Sequence, residues 1–445
     1  MTRAMTSIVK RSGELVPFDR EKIRIAIYKA TAAVGEHDAA LAERATDQVV
    51  AALASAYSAA DPATVEEIQD TVERVLIRSG NADVAKAYIV YRHERARLRS
   101  GRRPASAGNI PYKAMWQALD WAVDHDCHTV AALNRTVREG RLPALVEASE
   151  AHYEAGIRDA AEAILERRHE LRFVIVAGPS SSGKTSTTHK LTAQLAAAGV
   201  PAVPLALDNY FFNLELHPGD EFGDRDFETP EALDLTLINE HLAAIDRGEP
   251  IAMPVYDFKT GQRQARTTPF AVPAGTLVVL DTLHGLFAPL TASVPDAHKF
   301  RLYIETISQL KDDHGRYARW SDLRMLRRMC RDSLFRAFDP EETILHWHYV
   351  RRSELKHIIA HQGAADFHLN GALAYELPIL KLYCAPHLPA FLERWRHDEK
   401  RLDGYLRARR VHELLNSLED VADASLVPPT SVLREFIGGS AYDLH

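Results

Sequence analysis

The stretch FVIVAGPSSSGKTSTTHKL, residues 173–191, decides the fold. An apolar run stops at a glycine, passes three serines, and resumes in helix-forming residues after Gly183-Lys184-Thr185. The segment from Gly178 to Thr185 fits the pattern G-x-x-x-x-G-K-[ST] at every fixed position. Gly178 and Gly183 let the backbone turn tightly with its N–H groups inward. Those donors and the following helix N-terminus attract a polyphosphate. Ser180, Ser181, Ser182 and Ser186 extend the set of expected nucleotide contacts. Lys184 is expected at the β- and γ-phosphates of ATP, and Thr185 is expected to place its hydroxyl on Mg²⁺.

Outward from this motif the pattern alternates strand and helix. Strands are expected at 173–177, 202–207, 277–281, 300–304 and 379–384, with helical segments between them. This alternation predicts an α/β fold, a parallel sheet flanked by helices, whose ligands sit at the carboxyl ends of the strands. Two carboxylates fall at such ends. Asp281 closes the apolar run of GTLVVLDT, where it can hold Mg²⁺ or serve as a turn residue. Asp208 closes AVPLAL, where it can orient a hydroxyl or accept its proton, or cap a loop. Tyr210 follows two residues later.

The loop MPVYDFKTGQR, residues 253–263, gathers Tyr256, Asp257, Lys259 and Arg263, side chains suited to a ring, hydroxyls or phosphate. In DLRMLRRMCRDSLFRAF, Arg324, Arg327, Arg328 and Arg331 recur at helical spacing, and Arg336 continues the run. They are read either as a cover closing over phosphates, through forked guanidinium bonds, or as a solvated basic face paired with Asp322 and Asp332.

The chain has 445 residues, enough for two or three domains, with 46% apolar residues and a net charge of −7. No basic excess points to nucleic acid as the main partner. Cys127, Cys330 and Cys384 have no metal-ligand spacing and suggest a reducing compartment. The first residues lack the apolar core of a signal peptide, and no apolar run is long enough to span a bilayer. A cytoplasmic enzyme without membrane attachment is expected. His125, His128, His152 and His169 are irregularly spaced and are read as packing or surface residues.

Residues 1–100 read as a short hairpin followed by helices. SIVKRSGELVPF turns at Ser12-Gly13, Asp19 caps a helix with Ile23, Ile27 and Ala30 on one face, and Val65, Ile68, Val72, Val75 and Leu76 stripe a later helix. Residues 101–170 read as a linker and a helical connector, and 171–445 as the phosphate-binding domain with a helical extension.

Residues 173 to about 385 resemble the uridine kinase and phosphoribulokinase branch of P-loop kinases. GPSSSGKTS, LDNYF, DFETPEALDLTLINEHL, MPVYDFKTGQR and LRRMCRDSLFR carry the resemblance, and LREFIGGS resembles the ends of large nucleoside-kinase-like proteins. The resemblance implies ATP- and Mg²⁺-dependent phosphorylation of a nucleoside hydroxyl. Asp208 falls at the family's catalytic aspartate, Asp281 at its metal-associated acid, Tyr256 at an acceptor-loop tyrosine, and Arg331 and Arg336 on its RD…R pattern. Lys184 completes the implied catalytic set, and Tyr210, Tyr256, Lys259 and Arg263 the implied acceptor set. Two positions depart from the family: Gly261 stands where ordinary uridine kinases have a histidine that helps bind the pyrimidine, and Asp281-Thr282 where they have Glu-Gly.

The N-terminal segment resembles an ATP-cone, through IVKRSGELVPFDREKIRIAIYKA and AYIVYRHERARLR. This implies a second, regulatory nucleotide site with Lys10, Arg11 and Lys22 near the phosphates, and a homo-oligomer through which it acts. A kinase of a sugar phosphate or other small hydroxyl compound, and a nucleotide-sensing regulator without turnover, are the alternatives.

Overall fold

The computed structural model describes residues 7–9, 15–34, 36–57, 62–89, 111–217, 228–257, 260–398 and 401–444. Two compact units are present, Met1–Ser106 with Arg394–Leu406, and Ala107–Glu393 with Arg407–His445.

In the first unit, β1 (Ser7–Val9) and β2 (Leu15–Pro17) pair antiparallel with Ile8 opposite Val16. The helices are α1 (Arg20–Ala33), α2 (Ala39–Ala56), α3 (Val65–Arg78) and α4, described over residues 82–89. Asp19 caps α1 by accepting the Glu21 N–H, and Thr64 and Glu67 form a reciprocal capping box on α3. Ile23, Ile27 and Ala30 of α1 meet Val49 and Leu53 of α2 and Ile68, Val72 and Leu76 of α3 in one core. The 3.6-residue period alone places these side chains on the buried faces. Val65 and Val75 are only partly buried. Lys22 projects into solvent with its side chain 82% exposed, 3.6 Å from Asp19. Lys10 and Arg11 lie outside the described residues, as does the hairpin's turn.

The second unit opens with α5 (Tyr112–Asp124), α6 (Val130–Arg138) and α7 (Leu142–Glu166). These helices, expected as a connector, are part of the same compact unit as the sheet. Tyr153 of α7 shares a 2.7 Å hydrogen bond with Thr187, and Glu154 pairs with the buried Lys190. Trp121 stacks on His125 and His152, with ring centroids 4.0 and 5.0 Å apart.

The central sheet is parallel. Its strands are β3 (Phe173–Ala177), β4 (Ala202–Ala206), β7 (Leu277–Thr282), β8 (Lys299–Glu305) and β9 (Phe367–Asn370), in the order β4-β7-β3-β8-β9. All five residues of β3 are fully buried. A parallel strand covered on both faces needs such an unbroken apolar run, and each buried Val or Ile contributes about 1.5–3 kcal/mol. The helices α8 (Lys184–Ala197) and α9 (Leu235–Asp246) follow β3 and β4.

Between α9 and β7 lies a hairpin, β5 (Ile251–Asp257) with β6 (Gln262–Phe270), where a loop is expected from the sequence. After β8 come α10 (Trp320–Phe335), α11 (Pro340–Ser353), α12 (Glu376–Cys384), α13 (Leu388–Trp395), α14 (Leu402–Asn416) and a single turn α15 (Arg434–Ile437).

The expected strand at 379–384 is a correction: it is the end of α12, and the fifth strand is β9. Residues 376–380 are all buried, so this part of the helix has no exposed face to mark it as helical. No described helix is long and apolar enough to cross a membrane.

Candidate active site

The loop leaving β3 turns between the sheet and α8, and each fixed glycine has a steric reason. A Cβ on Gly178 would stand 2.3 Å from the Ile304 carbonyl oxygen of the neighbouring strand. Gly183 caps α8 at φ +94°, in the left-handed region, and a Cβ there would stand 2.5 Å from Val432 Cγ2. Ser181 also has positive φ, at +60°. Lys184 Nζ donates to the Pro179 carbonyl at 3.2 Å, folding the side chain back over the loop. The Ser181 and Ser182 hydroxyls are buried without a hydrogen-bond partner among the described residues. Buried hydroxyls without partners are costly, so the loop fits a ligand rich in acceptor oxygens, such as a nucleotide polyphosphate.

Strand register brings the two expected carboxylates to this loop. Asp281 on β7 stands opposite Val176 of β3 and Ala206 of β4. Asp208 lies two residues beyond Ala206. Thr185 Oγ1 donates to Asp281 Oδ2 at 2.8 Å. Burial pushes the Asp281 carboxyl up to about 7, Lys184 opposes this, and Asp208 adds to it. Burial raises Asp208 as well, against the pull of Lys184, Arg336 and Arg331. Two acids and three cations therefore share one electrostatic cluster. The Thr185 hydroxyl beside a carboxylate that burial disfavours is a hard oxygen pair suited to Mg²⁺.

The arginine helix departs from both sequence readings, because α10 is buried from Ser321 to Asp332. Arg324 and Arg327 are 1% and 0% exposed. Arg324 pairs with Glu354 and lies 2.8 Å from Glu305, while its Nη1 donates to the Ser180 carbonyl at 3.1 Å. Arg327 makes a forked pair with Glu376 at 2.6 and 3.0 Å and donates to the carbonyls of Gly371, Ser182 and Ser181. Arg328 joins Glu228 and Asp332 and reaches the Ser180 hydroxyl at 3.2 Å. Arg324 and Arg327 thus hold the phosphate loop by its carbonyls, and Arg328 holds it by the Ser180 hydroxyl. Neither a cover nor a solvated face describes them, and Asp322 pairs with Arg410.

Arg331 and Arg336 are the two that share the charge cluster with Asp208. Both pair with Asp332, at 2.7 and 3.8 Å. Burial first, and then Arg331, brings the Arg336 guanidinium down to about 10. With Arg328, three guanidiniums draw on the Asp332 carboxylate.

The expected acceptor residues divide. Tyr210 is fully buried, and its hydroxyl bonds His241 Nδ1 at 2.8 Å. The Arg263 guanidinium donates to the carbonyls of Tyr210 and Phe211 and to Asp234, at 2.7–3.1 Å, clamping the hairpin to the segment after β4. Tyr256 remains half-buried at this edge, its N–H bonded to Asn209 Oδ1 and its ring 5.6 Å from Phe211. Lys259 lies outside the described residues. Ser186, expected at the nucleotide, donates its N–H and hydroxyl to Glu435.

Glu228, Glu305, Glu354, Glu376, Glu435 and Asn209 escaped the sequence reading. Asn209 in LDNYF, Glu228 in DFETPEALDLTLINEHL and Glu435 in LREFIGGS stand in stretches that carry the family resemblance, but nothing local marks their roles. The acids come from distant segments, and nothing in the spacing joins them to α10.

Titration of this region predicts the pH response of stability. Burial lowers His284 to about 3 and His346 to about 4, so both stay neutral in the fold while the unfolded chain takes up protons near 6.5. A base lowered on folding contributes stability that is lost as pH falls below its unfolded value. Asp281, raised to about 7, opposes this, as do the raised Asp208 and Glu376, while His152, His241, His357 and His368 are lowered by burial too and act with His284 and His346. Below about pH 4 the lowered carboxyls of Glu228, Glu354, Asp322 and Asp332 act with the histidines. Melting temperature is expected to fall from pH 7 to pH 5 and more steeply below 4. A profile that rises toward pH 5 would contradict the assignment of neutral buried histidines.

Comparison with known proteins agrees with the layout. Residues 6–97 match the ATP cone domain and residues 173–370 the Phosphoribulokinase / Uridine kinase family. A uridine kinase of Deinococcus deserti is 30% identical over 200 residues, 44% of this chain and 87% of the relative. A uridine kinase of Halobacterium salinarum is 30% identical over 166 residues, 37% of this chain and 64% of the relative. The first 100 residues are covered differently: a vitamin B12-dependent ribonucleoside-diphosphate reductase of Thermoplasma acidophilum is 45% identical over 97 residues, 21% of this chain and 12% of the reductase. With the phosphate loop, the strand-end acids and these matches together, the chain belongs to the phosphoribulokinase/uridine kinase family of kinases and carries an ATP cone domain ahead of its kinase domain.

Proposed function

We propose that this protein phosphorylates a nucleoside hydroxyl with ATP and Mg²⁺, under the control of nucleotide bound to its ATP cone. The observation that carries the catalytic part is the cluster of Asp208, Lys184, Arg331 and Arg336 at the strand ends beside the phosphate loop. Asp208 orients the acceptor hydroxyl and takes its proton. Its raised affinity for a proton suits that task, and the cations around it keep an ionised form accessible. Lys184, Arg331 and Arg336 stabilise charge on the transferring phosphoryl group. The backbone N–H groups from Gly178 to Thr185, with the Ser180, Ser181 and Ser182 hydroxyls, hold the donor's phosphates. Thr185 and Asp281 would hold Mg²⁺, which neutralises phosphate charge when bound.

On the acceptor side, Tyr256 offers a half-buried ring, while Tyr210 and Arg263 fix the walls rather than touch substrate. Gly261 argues against pyrimidine-specific reading. It has φ +68°, and any Cβ there would stand 3.0 Å from Leu214 Cβ, so a histidine at this position would displace Leu214. Preference is therefore expected to be broader than for uridine and cytidine, or shifted to purine nucleosides. The same observation favours a second reading, a kinase of a sugar phosphate or another small hydroxyl compound.

A panel of nucleosides and sugar phosphates with MgATP, read by product mass, separates the two. Turnover confined to sugar phosphates overturns the nucleoside reading. No turnover of any acceptor, with nucleotide still bound, favours a sensor without catalysis.

The cone is tested in the full chain carrying Lys184→Ala, which weakens the kinase site. Calorimetry with ATP and dATP is expected to retain one binding component, and adding Lys10→Ala and Lys22→Ala is expected to remove it. A regulatory cone also changes kinase affinity by about five- to 150-fold, the usual range of coupling between sites. Loss of all binding in Lys184→Ala would leave the cone a structural or docking module.

A further inference from the structure

Ser186 stands in the first turn of α8, directly after Thr185. Its N–H donates to Glu435 Oε2 at 3.0 Å, and its hydroxyl to the same oxygen at 2.7 Å. Glu435 lies 249 residues further along, in α15, and both residues are buried. The same segment reaches the loop at a second point, where Val432 fills the space beside Gly183. It reaches a third through Phe436, whose ring lies 5.1 Å from the Arg327 guanidinium.

The segment is itself closed. Arg434 donates to the carbonyls of Ala424, Val427 and Gly438, and the Ala441 N–H donates to the Pro429 carbonyl at 2.8 Å. Ser431 ties it to Tyr375 at 3.1 Å. A closed brace of this kind can hold a neighbour in place without itself touching substrate.

First-turn N–H groups have no partner within their own helix, and the positive helix end favours a carboxylate. Hydrogen bonds to an ionised acceptor are about twice as strong as neutral ones. Glu435 thus takes two donors that lie one residue from the groups expected to hold phosphate and Mg²⁺. We infer that Glu435 is a positioning residue for the phosphate loop: it locks the first turn of α8, so that Lys184 and Thr185 are held ready while Ser186 takes no part in binding phosphate. This rests on the reading of the loop as the ATP site. A loop ordered in advance gives up less entropy on binding, so the effect belongs mainly in nucleotide affinity.

The test uses the full chain with Glu435→Ala, Glu435→Gln and Ser186→Ala. The KM for MgATP and kcat are measured with the best acceptor from the panel. Alongside them, calorimetry isolates the binding component that Lys184→Ala removes, and melting curves report the fold. Glu435→Ala is expected to raise KM and the Kd of that component by about tenfold or more, with a smaller change in kcat. Glu435→Gln keeps an oxygen that accepts both bonds and is expected to recover most of the loss. Ser186→Ala, which removes one of the two bonds, is expected to fall between wild type and Glu435→Ala.

Unchanged affinity in Glu435→Ala overturns the inference. Tighter binding also overturns it, by showing that the carboxylate competes with phosphate for the Ser186 donors. If Glu435→Ala does not fold, the decision rests on Ser186→Ala: wild-type affinity in that variant overturns the inference, and a severalfold rise in KM supports it. If the wild type has no Lys184-dependent nucleotide binding, the ATP-site reading fails and the inference falls with it, a result distinct from all the others.

Discussion

Asp208→Asn is expected to lower kcat by about a hundredfold or more, the scale of a catalytic base, while the affinity for MgATP stays close to that of the wild type. The side chain sits at the end of β4, across Asp281 from the phosphate loop, and its charge interacts with Lys184, Arg331 and Arg336. Asparagine keeps the size and one acceptor oxygen but cannot take a proton. A pH profile supplies an independent check. Burial holds the Asp208 carboxyl above its ordinary value, so its ionised form accumulates only at higher pH than for an exposed aspartate. The rate in wild type should climb with pH through that ionisation, and the climb should be missing in Asp208→Asn. Near-normal turnover of the true acceptor by Asp208→Asn would falsify the assignment.

The residues that make this prediction possible were legible for a physical reason. Phosphate binding needs glycines and a lysine at fixed spacing in one short stretch, so Gly178, Gly183, Lys184 and Thr185 announce themselves locally. Asp208 and Asp281 could be placed because parallel strands end together, and their apolar runs mark those ends. Four of the five strands were visible as short apolar runs. The fifth was not: Phe367–Asn370 has only four residues, and the apolar run of α12 offered a more conspicuous alternative. The β5–β6 hairpin was hidden for a different reason. Most of β6 is solvent-exposed and polar, so it lacks the alternation that marks a half-buried strand.

What spacing could not supply was the partner of each charge. The arginines of α10 are as prominent in sequence as the phosphate loop, and a run of exposed cations was a natural reading. The acids that neutralise them come from Glu228, β8, the turn after α11 and the start of α12. Only the fold brings these together, and it turns apparent surface charge into buried structure. Tyr210 shows the same limit on a smaller scale. It lies two residues from Asp208, yet its ring belongs to the core and its hydroxyl to His241.

The arginine correction has a measurable consequence for stability. Arg327→Met is expected to destabilise the protein by about 3–5 kcal/mol, the usual cost of removing one partner from a buried ion pair. Arg327 is fully buried, and its guanidinium satisfies Glu376 together with the carbonyls of Gly371, Ser181 and Ser182. Methionine matches much of the stem but leaves those oxygens without a donor. The loss has two parts that a second change separates. Burial already holds the Glu376 carboxyl above its ordinary value even beside Arg327. Without the arginine's opposing charge it should hold its proton to still higher pH, so adding Glu376→Gln should cost little more and should weaken the pH dependence of the single variant. The carbonyl part should persist in the double variant at about 1–3 kcal/mol, the cost of buried acceptors left unpaired. The exposed pair of Arg24 with Glu21 on α1 serves as the contrast, because Arg24→Met should change stability far less than Arg327→Met. Denaturant unfolding of the four proteins measures each term. If Arg327→Met falls within about 0.5 kcal/mol of wild type, as an ordinary surface substitution does, α10 does not hold the phosphate loop through its carbonyls.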